Sequence, residues 1–114
     1  MTPLEKLEIE SRYDYVLARL SGEVDLSNAL AIRQQLFDAV PNTATALLLD
    51  LSETVYLDSS GIRLIFELAT RLATRGQRLE LVIPDNSLVK RVLVLTEVDK
   101  VVPLSQSVEA ALKD

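Results

Sequence analysis

The chain contains no cysteine and no histidine. Without thiols there is no disulfide, no thiolate nucleophile and no cysteine-ligated zinc or iron–sulfur site. Without imidazole, Ser-His-Asp catalysis, the commonest metal ligand and the usual neutral-pH proton carrier are excluded as well. Tryptophan is absent and aromatic residues make up only 4%, which speaks against a platform for stacking nucleobases. Positive charge is scarce: 12 Lys and Arg stand against 17 Asp and Glu, for a net charge of -5. Binding to a nucleic-acid backbone is therefore not expected. No apolar run approaches the ~18 residues of a membrane span. Residues 1–10 carry three glutamates and no apolar stretch of the kind a secretory leader needs. The expectation is a soluble, cytoplasmic protein with no membrane contact.

What is present is ordinary globular material: 114 residues, 48% hydrophobic and 25% charged. That length suits one domain spanning 1–114, large enough to bury a core without staples. No linker, repeat or low-complexity segment interrupts it.

Residues 7–10 alternate apolar and acidic side chains and read as a strand with one wet face. A turn over 11–14 leads to a second strand over 15–20, so the two form a hairpin. Gly22 ends that strand. Ser27 and Asn28 are good helix starters. Ala29, Ile32, Leu36 and Val40 then recur at helical spacing until Pro41. The apolar run 45–51 suits a strand covered on both faces. Ser52 to Gly61 reads as a loop. Ile62, Ile65, Ala69, Leu72 and Ala73 mark the next helix, with Gly76 at its C-terminal cap. A strand over 79–83 follows. A short helix over 87–95 has Leu88, Val92 and Leu95 on one side, and 101–104 reads as a short edge strand because Pro103 cannot donate to a ladder. A last helix turns Val108, Ala111 and Leu112 one way.

Strands alternating with single helices imply right-handed crossovers and a largely parallel sheet. The predicted fold is α/β: a mixed, mostly parallel sheet of 4–5 strands, the first antiparallel at an edge, with helices mainly on one face. Arg19 and Glu80 inside strands suggest that the other face is partly wet.

Ligands and partners of such sheets meet the carboxyl ends of the strands. Three loops leave those ends, at 21–27, 52–61 and 84–87. Ser27, Asn28 and Ser87 are accounted for as caps. The step Asp58-Ser59-Ser60-Gly61 offers more polar groups than one cap uses. Gly61 inside a first turn costs ~0.5–1 kcal/mol relative to alanine, which suggests close approach by another group. Ser59 would stand beside the free N–H groups of a helix start, a setting that tolerates an anion. Capping remains an alternative role for Ser59 and for Ser60. Enzyme patterns fail here. A nucleophile elbow would need glycine where Leu57 stands, and neither a phosphate-binding P-loop nor a dinucleotide fingerprint occurs. Asp25, Asp50 and Asp58 could hold Mg²⁺ only if the fold gathered them, and the acidic pair of a receiver domain is missing.

The turn Gly22-Glu23-Val24-Asp25, the run 47–52 (Leu-Leu-Leu-Asp-Leu-Ser), the step 57–62 (Leu-Asp-Ser-Ser-Gly-Ile) and the close 107–112 (Ser-Val-Glu-Ala-Ala-Leu) together resemble the STAS domain, in its stand-alone bacterial form, the anti-sigma factor antagonists. The resemblance covers essentially the whole chain. It implies a sheet whose βα units wind as a right-handed superhelix, and a binding protein with no enzymatic activity, no cofactor and no metal. The implied partner is an anti-sigma factor that is also a serine kinase of the GHKL class, whose capture frees a sigma factor. The implied phosphorylation site is Ser59, the serine after the aspartate, and a PPM-type serine phosphatase would restore binding. The implied partner surface comprises Gly22, Glu23, Asp25, Ser27, Asp58, Ser59, Ser60, Gly61 and Arg63. A turn-forming role is the alternative for Asp25. Leu64 and Leu68 could face a partner or a neighbouring helix. Two departures stand out: Glu97-Val98 where many members have Gly-Leu, and Arg63 where several carry a small residue. A small-molecule or nucleotide-sensing module, or a scaffold, is the alternative function.

Overall fold

Alternating side chains and a three-residue connection over 12–14 set up the first unit of the computed structural model, which describes residues 5–113. Strand β1 (Glu5–Ser11) pairs antiparallel with β2 (Tyr15–Val24). The Arg12 N–H donates to the Tyr15 carbonyl at 2.8 Å and closes the hairpin. From β2 the chain enters helix α1 (Ala29–Ala39), returns through β3 (Ala46–Asp50), and runs on into β4 (Thr54–Leu57) and the long helix α2 (Ser59–Thr74). Then follow β5 (Arg78–Val82), α3 (Leu88–Leu95), a single 3-10 turn (Val98–Lys100), β6 (Leu104–Ser105) and α4 (Val108–Leu112).

The sheet runs β1-β2-β3-β5-β6, with every pair after the first parallel. Each parallel neighbour is reached through a helix and the order advances in one direction, so the units wind as one coil with right-handed crossovers. The sheet has six strands where four to five were expected. The extra one is β4, inside the stretch read as a loop. It pairs with the far end of β2, Gly22 against Thr54 and Val24 against Leu57. β2 is accordingly longer than predicted, because its first half serves β3 and its second half serves β4. Gly22 adopts φ +89 where the register slips between the halves, a backbone region that favours glycine.

Helices α1, α2 and α3 cover one face. Ile32 and Leu36, then Leu64, Ile65, Leu68 and Leu72, then Val89 and Leu93 pack on Val16, Ala18, Leu20, Leu47, Leu49, Leu79 and Leu81. The choice left open for Leu64 and Leu68 is thus resolved toward the neighbouring helix, and Ile62 is only half-buried. On the other face α4 lays Ala111 and Val108 over Leu17, Leu48 and Val82. Leu112, expected on that buried stripe, is exposed, as is Ala73 on α2.

Three further expectations are corrected. On α3 the buried residues are Val89 and Leu93, while Leu88 and Leu95 are about three-quarters exposed. Glu80 is buried rather than wet, held by the Arg78 guanidinium and the Ser105 hydroxyl. Arg19 does face solvent and links Glu10 (3.7 Å) with Asp50 (3.5 Å). The edge strand starts at Leu104, later than predicted, although the Pro103 carbonyl already accepts from the Leu81 N–H at 3.0 Å.

Candidate functional site

At the carboxyl end of the sheet the tips of β2 and β4 lie side by side, and each feeds a helix on the same face. The Asp58 N–H donates to the Val24 carbonyl at 3.1 Å, which ties the start of α2 to the end of β2. The segments around Asp25 and Ser59, some thirty residues apart in sequence, are thereby brought together.

Asp58 is the N-cap of α2. Its Oδ1 accepts from the Ser60 N–H at 2.8 Å and the Gly61 N–H at 3.2 Å. Two of the donors that a helix start leaves open are satisfied, and the carboxylate sits at the positive end of the helix dipole. Capping is therefore the role of neither serine. Ser59 is the first helical residue, exposed, with a hydroxyl that makes no hydrogen bond among the described residues. Ser60 is half-buried.

Gly61 is buried, and the group that approaches it belongs to the chain itself. A Cβ there would come within 3.0 Å of Leu57 Cδ2 and 3.3 Å of Val24 Cγ1. The missing side chain lets α2 settle onto the tips of β2 and β4. Its part in the site is to seat the helix that carries Ser59.

The β2–α1 turn is knitted from its own side chains. Asp25 Oδ1 accepts from the Ser27 N–H (2.9 Å) and the Ser27 hydroxyl (2.5 Å). These two bonds, the hydroxyl first, hold the Asp25 carboxyl below its usual pKa. Asn28 is buried and does not cap α1 with its side chain, contrary to expectation. Its Oδ1 accepts from the Asp25 N–H at 3.1 Å and its Nδ2 donates to the Glu23 carbonyl at 2.9 Å. The Asp25 carbonyl serves as the cap, accepting from the N–H groups of Asn28 (3.2 Å) and Ala29 (2.9 Å). Ser27 likewise spends its side chain on Asp25. The Glu23 side chain is exposed.

Sequence reading missed the apolar rim. Leu26 is 82% exposed and Leu30 69% exposed, and both border a hollow of about 570 Å³ with Ser59, Ser60, Arg33 and Arg63. On the other flank of α2 a hollow of about 710 Å³ is lined by Ser59, Ile62, Arg63, Phe66 and, from α1, Arg33 and Phe37. The signal was available: Leu26 and Leu30 fall off the buried stripe of α1, so no intramolecular partner was implied for them. Exposed apolar groups beside exposed polar ones are what protein interfaces bury.

The three aspartates do not converge. Asp50 lies on the opposite face of the sheet, where its Oδ1 accepts from the Ser52 N–H (2.9 Å) and hydroxyl (2.6 Å). No cluster of three His, Cys, Asp or Glu side chains is placed to hold a metal among the described residues. No helix among them is long and apolar enough to cross a membrane. Chemically, the site offers an accessible hydroxyl on a firmly capped helix, surrounded by a surface a second protein can cover.

Comparison with known proteins bears on the family and the fold. The model of the STAS domain family matches residues 6–111. The anti-sigma-F factor antagonist RsfB of Mycobacterium tuberculosis is 29% identical over 94 residues, 82% of this chain and 75% of its own. The crystal structure of an anti-sigma factor antagonist from Mycobacterium paratuberculosis superposes with a TM-score of 0.83 at 26% identity, covering 95% of this chain and 91% of that one. The Bacillus cell fate determinant SpoIIAA in its phosphorylated form has the same fold, with a TM-score of 0.70 at 21% identity over 93% of this chain and 96% of that one.

Proposed function

The chain belongs to the STAS domain family, and from that membership we propose that it is an anti-sigma factor antagonist, switched by phosphorylation of Ser59. The observation that carries this reading is the exposed, uncommitted Ser59 hydroxyl on the first residue of α2, flanked by the outward-facing Leu26 and Leu30. Names of its relatives support it: two are anti-sigma factor antagonists, and SpoIIAA exists in a phosphorylated form.

In this reading the unmodified chain docks an anti-sigma factor on the surface formed by Gly22, Glu23, Asp25, Ser27, Asp58, Ser59, Ser60 and Arg63, with Gly61 seating the helix beneath. The docked anti-sigma factor lets go of its sigma factor. It is also a serine kinase of the GHKL class. The Ser59 oxygen attacks the γ-phosphorus of ATP, its proton passes to a base of the kinase, and ADP leaves. A PPM-type serine phosphatase hydrolyses the ester, returning the hydroxyl and inorganic phosphate. The chain itself supplies only the acceptor oxygen and needs no catalytic group. The place of action is the cytoplasm, where sigma factors meet RNA polymerase.

The magnitudes favour control of docking over control of folding. A phosphoryl group adds about -1.5 to -2 charges. The helix start returns ~0.3–1 kcal/mol to an exposed anion, and Asp58 alongside opposes it, so the fold is little affected. Burying the same anion unpaired in an interface costs roughly 2–5 kcal/mol. That is ~30-fold to several thousand-fold in affinity at ~1.4 kcal/mol per tenfold.

Incubation with ATP and the cognate kinase, followed by mass spectrometry and a binding titration, tests the reading. The phosphate should map to Ser59 and binding should be lost. Ser59→Ala should bind yet escape the switch, and Ser59→Asp should stay folded yet fail to bind. Full affinity after modification, or an unfolded Ser59→Asp that still binds, would refute it.

A further inference from the structure

We infer that Arg63, assisted by Arg33, closes on the phosphoryl group of modified Ser59 from within the same chain. Modification would then withdraw cations from the docking surface while it adds negative charge. The inference rests on Ser59 being the residue that carries the phosphate. Arg63 lies one helical turn beyond Ser59, so their Cβ atoms are about 5–6 Å apart on one face of α2. The order is the favourable one, with the anion N-terminal to the cation. Both residues border both hollows flanking the helix, so their side chains share the same open space.

Most arginines of the chain are engaged: Arg12 and Arg19 with Glu10, Arg33 with Glu67, Arg75 with Asn42 and Arg78 with Glu80. Arg71 stacks on Phe37. Arg63 is exposed and forms no hydrogen bond, ion pair or ring contact among the described residues. Arg33 reaches the same two hollows from α1, and its buried Nε lies 3.4 Å from Glu67 without completing a hydrogen bond. A guanidinium fork matches two phosphoryl oxygens at once, which a neutral hydroxyl at Ser59 cannot exploit. Arg71 also lines the larger hollow, where its guanidinium lies over the Phe37 ring, and Asp58, Asp25, Glu23 and Glu67 are the negative charges of this region. These carboxylates repel the phosphate and leave the arginines as its counter-ions.

The test uses the full chain with phosphoserine genetically encoded at position 59, and follows the phosphorus-31 shift against pH. The second ionisation of a phosphoserine ordinarily falls near ~6. A guanidinium in contact favours the dianion and lowers that value. Arg63→Gln should raise the midpoint by about 0.5 pH unit or more, Arg63→Lys should recover part of it, and Arg33→Gln should give a smaller rise. A midpoint that is the same in the parent and in Arg63→Gln, both showing native circular dichroism, would overturn the inference. Because the phosphate is encoded, this result is independent of the kinase. A kinase that ignores Ser59 would sink the proposed function and leave the titration intact, whereas an insensitive midpoint would remove only the latch.

Discussion

Removing the Asp58 carboxylate should destabilise the domain by an amount the cap geometry sets. One oxygen of Asp58 satisfies two backbone donors, Ser60 at 2.8 Å and Gly61 at 3.2 Å. Replacing an N-cap aspartate by alanine costs ~1 kcal/mol. Loss of the negative charge at the helix start adds ~0.3–1 kcal/mol. The partly buried setting leaves water little room to replace the lost acceptor, so Asp58→Ala should cost about 1.5–2 kcal/mol in total. In urea, with a slope of ~1–3 kcal/mol per M, the midpoint should fall by roughly 1 M. In a thermal scan the same loss is a drop of about 5–10 °C. Asp58→Asn is the informative partner. Asparagine keeps an acceptor oxygen and loses only the charge, so its cost should stay below ~1 kcal/mol. Both variants retain the backbone bond to Val24, so neither unties α2 from β2. Equal damage from Asn and Ala, or an Asp58→Ala within ~0.3 kcal/mol of the parent, would refute the assignment of Asp58 as the cap.

Two further outcomes follow from the structure. The Asp25 carboxyl is held low chiefly by the Ser27 hydroxyl, so Ser27→Ala should raise its pKa toward the usual carboxylate range in a carbon-13 titration. Because the folded value is depressed, the stability it contributes is present above the unfolded pKa of ~3.9 and is lost as pH falls through the lower folded one. A titration identical in both proteins would count against the bond. Glu97 adopts φ +65 and ψ +22, left-handed backbone in which a side chain costs ~1–2 kcal/mol. Its ion pair with Lys100 is exposed and of little value. Glu97→Gly should therefore stabilise by about 0.5 kcal/mol after the extra flexibility of unfolded glycine is deducted, and a lower melting temperature would contradict this.

The departure at Glu97 shows what sequence and structure each contribute. The resemblance implied a glycine at this position, so the departure was visible in the sequence, but the left-handed backbone behind it was not. The same division runs through the site. Asp58-Ser59-Ser60-Gly61 was legible as a helix start with surplus polar groups. Which residue caps, which faces solvent and which is buried depended on how α2 seats against Val24 and Leu57. Strand β4 escaped notice because its four residues alternate too briefly to signal a strand, although Thr54, Val55 and Tyr56 favour one.

Periodicity and punctuation alone determined the order of every element except β4, the antiparallel first strand, the parallel remainder and the helix that presents Ser59. These are local properties, set by side-chain spacing, capping residues and breakers within a few positions. Tertiary structure alone decided the rest. In α3, Leu-Val-Lys-Arg-Val-Leu-Val-Leu carries two apolar ridges, one with Leu88, Val92 and Leu95 and one with Val89 and Leu93. Both satisfy helical spacing, and only the position of the helix over the sheet buried the second. Likewise the meeting of the β2 and β4 tips, with Val24 beside Leu57 and the Asp58 N–H on the Val24 carbonyl, is long-range, and no window of neighbouring residues encodes it.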